Sequence, residues 1–211
     1  MSDQPDEGAG FEAISPTALA DVLDREQVMD GGIRPLWGPM PRLAGPAFTV
    51  RCAPADNLML HAAIHRAGPG TVIVVQAGDA DYAVAGGNVC AVAQRNGIAG
   101  FVVDGVIRDV GEVRELAFPV LARGVIPFPG GKRVVHPLGE PVRCGGVTVN
   151  QGDIVVADEE GVVVVPGDRR KQVLSDARAR LAAEAGESLD AWEAAHRARI
   201  DEILGANGFT G

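Results

Sequence analysis

Two short runs, Val72-Ile73-Val74-Val75 and Phe101-Val102-Val103, constrain this chain more than any other feature in it. Neither has a polar face. A strand of that kind must be covered on both sides, which is the condition of a parallel sheet between layers rather than of a half-exposed hairpin. What precedes each run fits. Asn57 to Ala67 carries apolar residues at helical spacing and ends in Gly68-Pro69-Gly70 before the first run. Tyr82 to Asn96 contains a Gly86-Gly87-Asn88 opening, then an Ala/Val-rich helix closed by Asn96-Gly97 before the second. Helix and strand alternate, so an α/β fold is expected.

Around this centre the pattern is looser. Residues 1–12 read as a flexible tail. Ser15-Pro16 supplies a cap and a first-turn proline for a helix of about ten residues with Leu19, Val22 and Leu23 on one face. Glycine and proline make Met29 to Pro46 irregular, after which Phe48, Val50 and Cys52 alternate as in a strand. Pro119 to Leu121 is a further short strand, and residues 124–146 form a loop long enough to suggest function. Val147–Val149, Ile154–Val156 and Val162–Val165 suggest a meander. Residues 168–184 and 188–204 read as charged amphipathic helices suited to covering a sheet or a neighbouring subunit.

Composition removes several functions. With net charge −9, 4% aromatic residues and no basic block, the chain is a poor match for nucleic acid. No apolar run is long enough to cross a membrane, and the acidic start is unlike a secretory signal, so a cytoplasmic protein is expected. Cys52, Cys90 and Cys144 are too far apart for a zinc site and read as buried, reduced thiols.

The chemistry concentrates after Phe101-Val102-Val103. The apolar run is expected to stop at Asp104-Gly105, and Arg108-Asp109 follows at a strand-to-helix transition, where open α/β sheets place ligands. Glu112 lies one turn beyond Asp109, on a neighbouring position of the same helix face, and paired carboxylates of this kind hold divalent cations. The backbone N–H groups of the Ala85-Gly86-Gly87-Asn88 turn could take an anion at a helix N-terminus. Lys132, in the long loop, could meet a carboxylate. His61 and His65 share a helix face but lack the rest of a zinc motif, and His136 stands alone; all three read as ordinary core or surface histidines.

Taken together, the segment from Gly86 to Glu112 resembles the signature of the class II 4-hydroxy-4-methyl-2-oxoglutarate aldolases, which share a fold with the RraA-like regulators of ribonuclease E activity. Gly45 to Val50, Gly152 to Asp158 and Gly161 to Pro166 resemble the same family in the right order. The resemblance implies a three-layer, swivelling-type β/β/α domain over residues 13–185, with a C-terminal helical extension over 186–211. It implies a homotrimer or dimer of trimers and a Mg²⁺- or Mn²⁺-dependent lyase that forms pyruvate from a small 2-oxo acid. Retro-aldol cleavage and oxaloacetate decarboxylation both follow from that chemistry. By the same resemblance Asp109 is the metal ligand and Arg108 a catalytic, substrate-binding residue. Gly86, Gly87, Asn88 and Val89 hold pyruvate, Lys132 holds a substrate carboxylate, and Glu112 and Glu184 are weaker metal-site matches, Glu184 from a neighbouring subunit. Gly87 departs from the aldolase pattern, which has an acid there, and this weakens the support around the metal. The alternatives are an RraA-like protein that binds a ribonuclease, and a degenerate member without catalysis.

Overall fold

The computed structural model describes residues 8–186 and 188–209. Nine strands and six α-helices follow the chain as α1 (Pro16–Ala20), β1 (Arg34–Pro35), β2 (Leu43–Arg51), α2 (Leu58–Ala63), β3 (Val72–Gln76), α3 (Gly87–Arg95), β4 (Gly100–Ile107), α4 (Val110–Glu115), β5 (Val120–Val125), β6 (Val142–Cys144), β7 (Val147–Val149), β8 (Ile154–Asp158), β9 (Gly161–Val165), α5 (Arg170–Glu184) and α6 (Leu189–Ala206). Seven strands form one mixed sheet in the order β1-β5-β4-β3-β2-β8-β9, and β6-β7 form a separate hairpin. Strands β2 to β5 are parallel neighbours, as the fully apolar runs required.

The sheet separates two cores. Ile73, Val75, Phe101 and Val103 face Leu60, Ala63, Cys90 and Ala93 of the helices on one side. Val72, Val74 and Val102 face Val142, Cys144, Val147 and Val149 of the small hairpin on the other. Alternate residues of the same strands thus feed different layers, giving the α/β architecture of hairpin, sheet and helices. A third cluster packs α1 and α5 against the outer face of β8 and β9 through Leu19, Val173, Ala177, Val156 and Val163.

Strand β2 serves both halves of the sheet. Leu43 to Pro46 pair antiparallel with β8, whereas Ala47 to Arg51 pair in parallel with β3. No contact between α6 and the body is extensive, and none of its residues is buried.

Several expectations change, the first being that β1 and the first half of β2 fall inside Met29 to Pro46, where pairing with β5 and β8 overrides the glycine and proline content. Phe11, assigned to a loose tail, is 1% exposed and completes the third cluster. Helix α1 is five residues long, because the chain leaves it to lay Val22 and Leu23 on that same cluster. Strand β4 runs through Asp104-Gly105 to Ile107, and a register shift between Val103 and Val106 absorbs the interruption. Gly105 fits because a Cβ there would strike the Ala77 side chain. Finally, β7 pairs with β6 and not with β8, so the three valine-rich runs are parts of two hairpins rather than a meander.

Candidate active site

Loops following the four parallel strands converge at one end of the sheet. After β2 come Asn57 and His61, after β3 Ala83 to Val89, after β4 Arg108 and Asp109, and after β5 Pro129 and Lys132. Together they line a cavity of about 80 Å³. This is where an open parallel sheet gathers loop residues from separate strands.

Asp109 is the residue that shapes it. As the N-cap of α4 it adopts φ 56° and ψ 37°, a left-handed conformation uncommon outside glycine, and its side chain makes no capping bond to its own helix. The carboxylate turns instead across the cavity, where Oδ2 accepts from the Gly87 N–H at 3.2 Å and lies 3.4 Å from Arg108 Nε. Such backbone conformations cost free energy and cluster at functional sites. The ion pair itself is more than a third exposed on both sides, so its contribution to stability is small.

Gly86 and Gly87 open α3 and leave its first turn uncovered, since Gly86 is the N-cap and offers no side chain. A side chain at either glycine would have to displace a neighbouring one. A Cβ on Gly86 would fall on the Asp109 carboxylate. One on Gly87 would fall on that of Glu112, with Glu112 Cδ at 2.8 Å. Glu112 therefore stands over position 87 from one turn beyond Asp109, although it does not line the cavity.

The opposite wall is α2. His61 faces the cavity, and burial, the Lys132 ammonium and His65 together lower its pKa to about 4. It is a neutral imidazole at physiological pH. Cys90, behind Asp109, has its thiol pushed up to about 12 by burial and by the Asp109 charge, and Cys52 is raised to about 11 by burial. Neither is a nucleophile at neutral pH.

The expected residues Gly86, Asn88, Val89, Arg108, Asp109 and Lys132 thus meet in one cavity, with Gly87 bonded to Asp109. Glu184 ends α5, paired with Arg180 at 3.0 Å within the chain. His65 is exposed, and His136 lies in a separate cleft with Arg51 and Glu140. Asn57 and His61 were not expected in the site. Their signal was available in the i, i+4 spacing on a helix that follows a parallel strand.

A larger cleft of about 440 Å³ lies on the hairpin side of the sheet, lined by Gln76, Asp79, Asp104, Arg123 and Arg143. Its central charges are already matched. Arg123 donates to Asp104 and to Asp30, which raises its own pKa and lowers that of Asp30. No helix among the described residues is long and apolar enough to cross a membrane.

Known proteins resemble this chain in sequence and in fold. A protein of Halalkalibacterium halodurans, named a proposed 4-hydroxy-4-methyl-2-oxoglutarate aldolase, is 36% identical over 94% of this chain and 91% of its own length. One of Burkholderia multivorans with the same name is 38% identical over 65% of this chain and 84% of its own. Among solved structures, Streptomyces coelicolor RraAS2, titled an unusual member of the RNase ES inhibitor RraA protein family, is 30% identical, with a TM-score of 0.77 over 86% of this chain and 95% of its own. The RraA-like model, described as Aldolase/RraA, matches residues 16–164, and this chain belongs to that family.

Proposed function

We propose that the protein is a divalent-metal-dependent lyase that forms pyruvate, by retro-aldol cleavage of substrates like 4-hydroxy-4-methyl-2-oxoglutarate, by oxaloacetate decarboxylation, or by both. One observation carries this reading: a carboxylate in a left-handed N-cap, turned from its own helix toward the open first turn of another, beside Arg108. The names of the aldolase relatives support an aldolase-type lyase.

Asp109 would hold the metal. Among the described residues no cluster of three His, Cys, Asp or Glu side chains exists. That donor set is too small for a closed protein cage. It fits Mg²⁺ or Mn²⁺, which bind through one or two carboxylates while substrate oxygens and water complete the shell. When bound, the metal supplies Lewis acidity to a 2-oxo acid whose C–C bond is breaking.

The remaining work belongs to the chain. Arg108 offers fixed, planar donors to the negative charge that develops on the keto oxygen. The first-turn N–H groups of α3, at Asn88 and Val89, suit the pyruvate carboxylate. Lys132 suits a second carboxylate on the departing half of the substrate. Retro-aldol cleavage also requires a hydroxyl proton to leave, and Glu112, standing over Gly87, places a carboxylate where the aldolase pattern has one. Assembly as a homotrimer or dimer of trimers belongs to this reading, with Glu184 approaching the site of a neighbour. The exposed apolar residues Leu189, Trp192, Ile200 and Ile203 on α6 support association.

The likeness to RraA structures favours a second reading, a protein-binding regulator of a ribonuclease. One experiment separates the two. Purified protein is given oxaloacetate or 4-hydroxy-4-methyl-2-oxoglutarate with Mg²⁺, Mn²⁺ or a chelator, and pyruvate is measured. Metal-dependent release is expected; no release from either substrate would leave the regulator.

A further inference from the structure

Lys132 is carried by a segment with no ladder of its own. Between Val125 and Val142 the chain forms no helix or strand, yet residues 128–134 are bonded on two sides. Towards β3, Phe128 O accepts from Ala83 N at 2.8 Å and Gly130 N donates to Ala83 O at 3.0 Å. Towards α2, Gly131 N donates to Ala55 O at 2.7 Å and Gly131 O accepts from Asn57 N at 2.8 Å. Asp56 closes the arrangement. Its Oδ2 accepts from Arg133 N at 2.5 Å and from Val134 N at 3.3 Å, while Oδ1 accepts from Leu58 N at 2.9 Å.

Asp56 is only 4% exposed, so its charge is matched inside the protein by three backbone N–H dipoles. One oxygen grips the start of the helix that carries His61, and the other grips the two residues after Lys132. Asn57 bears out the same purpose. Its side-chain amide donates to Gly130 O at 3.2 Å and to Ala83 O at 3.5 Å, which fixes the amide orientation and leaves Oδ1 buried without a partner among the described residues. A buried unpaired oxygen is unfavourable and requires a reason; here the amide nitrogen is committed to the lysine segment.

We propose that Asp56 is a positioning residue for Lys132, fixing the backbone from which the ammonium meets the second carboxylate of the substrate. The role rests on the lyase reading. A lysine head moves on a flexible four-carbon stem, so an ordered Cα removes much of the entropy lost when it grips an anion. That contribution acts in binding rather than in bond breaking, and it belongs to KM.

The test measures pyruvate release by the full-length protein for wild type, Asp56→Ala, Asp56→Asn, Lys132→Ala and the double variant Asp56→Ala/Lys132→Ala. Amide hydrogen exchange over residues 130–134 accompanies it. Asp56→Ala is expected to raise KM about tenfold with kcat within about threefold, and to expose the Arg133 and Val134 amides. The double variant is expected to be no worse than Lys132→Ala, because the anchor has no value without the ammonium. Asp56→Asn keeps one acceptor oxygen and is expected to fall between, and it carries the comparison if the alanine variant fails to fold. Additive losses, or a fall in kcat at unchanged KM, would overturn the positioning role while the wild type remained active. A wild type that released no pyruvate would overturn the lyase reading, and this role with it.

Discussion

The lysine segment and helix α6 are opposites. Residues 126–141 have no regular structure, yet backbone and side-chain bonds from two other parts of the chain hold residues 128–134 of them against the cavity. Helix α6 runs for 18 regular residues and buries none of them. Its Leu189 is 77% exposed and its Trp192 49%, with the Trp192 ring stacked on His196 of the same helix. The contrast separates two things that secondary structure tends to merge. Repeating hydrogen bonds make a segment regular, but bonds and contacts to distant residues make it part of a fold. Substitution should therefore harm function most where the chain is irregular and pinned, and least where it is regular and unattached.

The largest effect is expected across the cavity from the pinned segment, at Asp109. Asp109→Asn keeps a side chain that tolerates the left-handed backbone while removing the charge. Pyruvate release should fall by about 10²–10³-fold, with thermal melting nearly unchanged. Equal activity in the two proteins at limiting metal would break the comparison at its strongest point.

Next comes Gly87→Asp. Restoring the acid of the aldolase pattern would force the new side chain into the carboxylate of Glu112, so activity should drop about tenfold despite the match to the family. Adding Glu112→Ala should recover most of the loss. If Gly87→Asp alone were more active, Glu112 would not be filling that place.

Removing α6 by ending the chain at Gly186 sharpens the other side. The body should lose less than about 1 kcal/mol of unfolding free energy, since none of the helix's residues is buried. Light scattering should nevertheless report a smaller assembly. A large drop in the melting temperature of a species already monomeric would show that α6 belongs to the body.

The remaining test concerns His61, whose pKa falls from 6.5 to about 4 on folding. The unfolded chain binds a proton there below pH 6.5, whereas the folded protein does so only near 4. Stability is therefore undiminished above pH 6.5 and declines as the pH falls through that window, by about 1–3 kcal/mol in all. His61→Gln should flatten this part of the acid limb in a melting series. An unchanged limb would place the imidazole in water.

These regions were not equally legible in the sequence. The parallel centre was, because Val72–Val75 and Phe101–Val103 admit only a doubly covered strand and Asn96-Gly97 closes α3. Arg108 and Asp109 were also placed at a strand-to-helix transition, although the strand before them ends at Ile107 and not at Asp104-Gly105. Asp104-Gly105 misled, because the partner that lets β4 continue, β5, lies further along the chain. The pairing of β7 with β6 was hidden for the same reason, as was the burial of Phe11 against β8 and β9. Asp56 carried no readable pattern; its value lies in bonds to residues 77 and 78 positions away.

The double pairing of β2 has a consequence for how the protein is made. On the ribosome, Ala47 to Arg51 find β3 within a few dozen residues, but Leu43 to Pro46 must wait for β8. Until Ile154 to Ala157 leave the exit tunnel, the first half of β2 is an unpaired apolar edge on a nascent chain whose helix-covered half can already be folded. Slow elongation between β5 and β8 would prolong that exposure, and synonymous codon choice in this interval should then alter the yield of native protein without changing a residue.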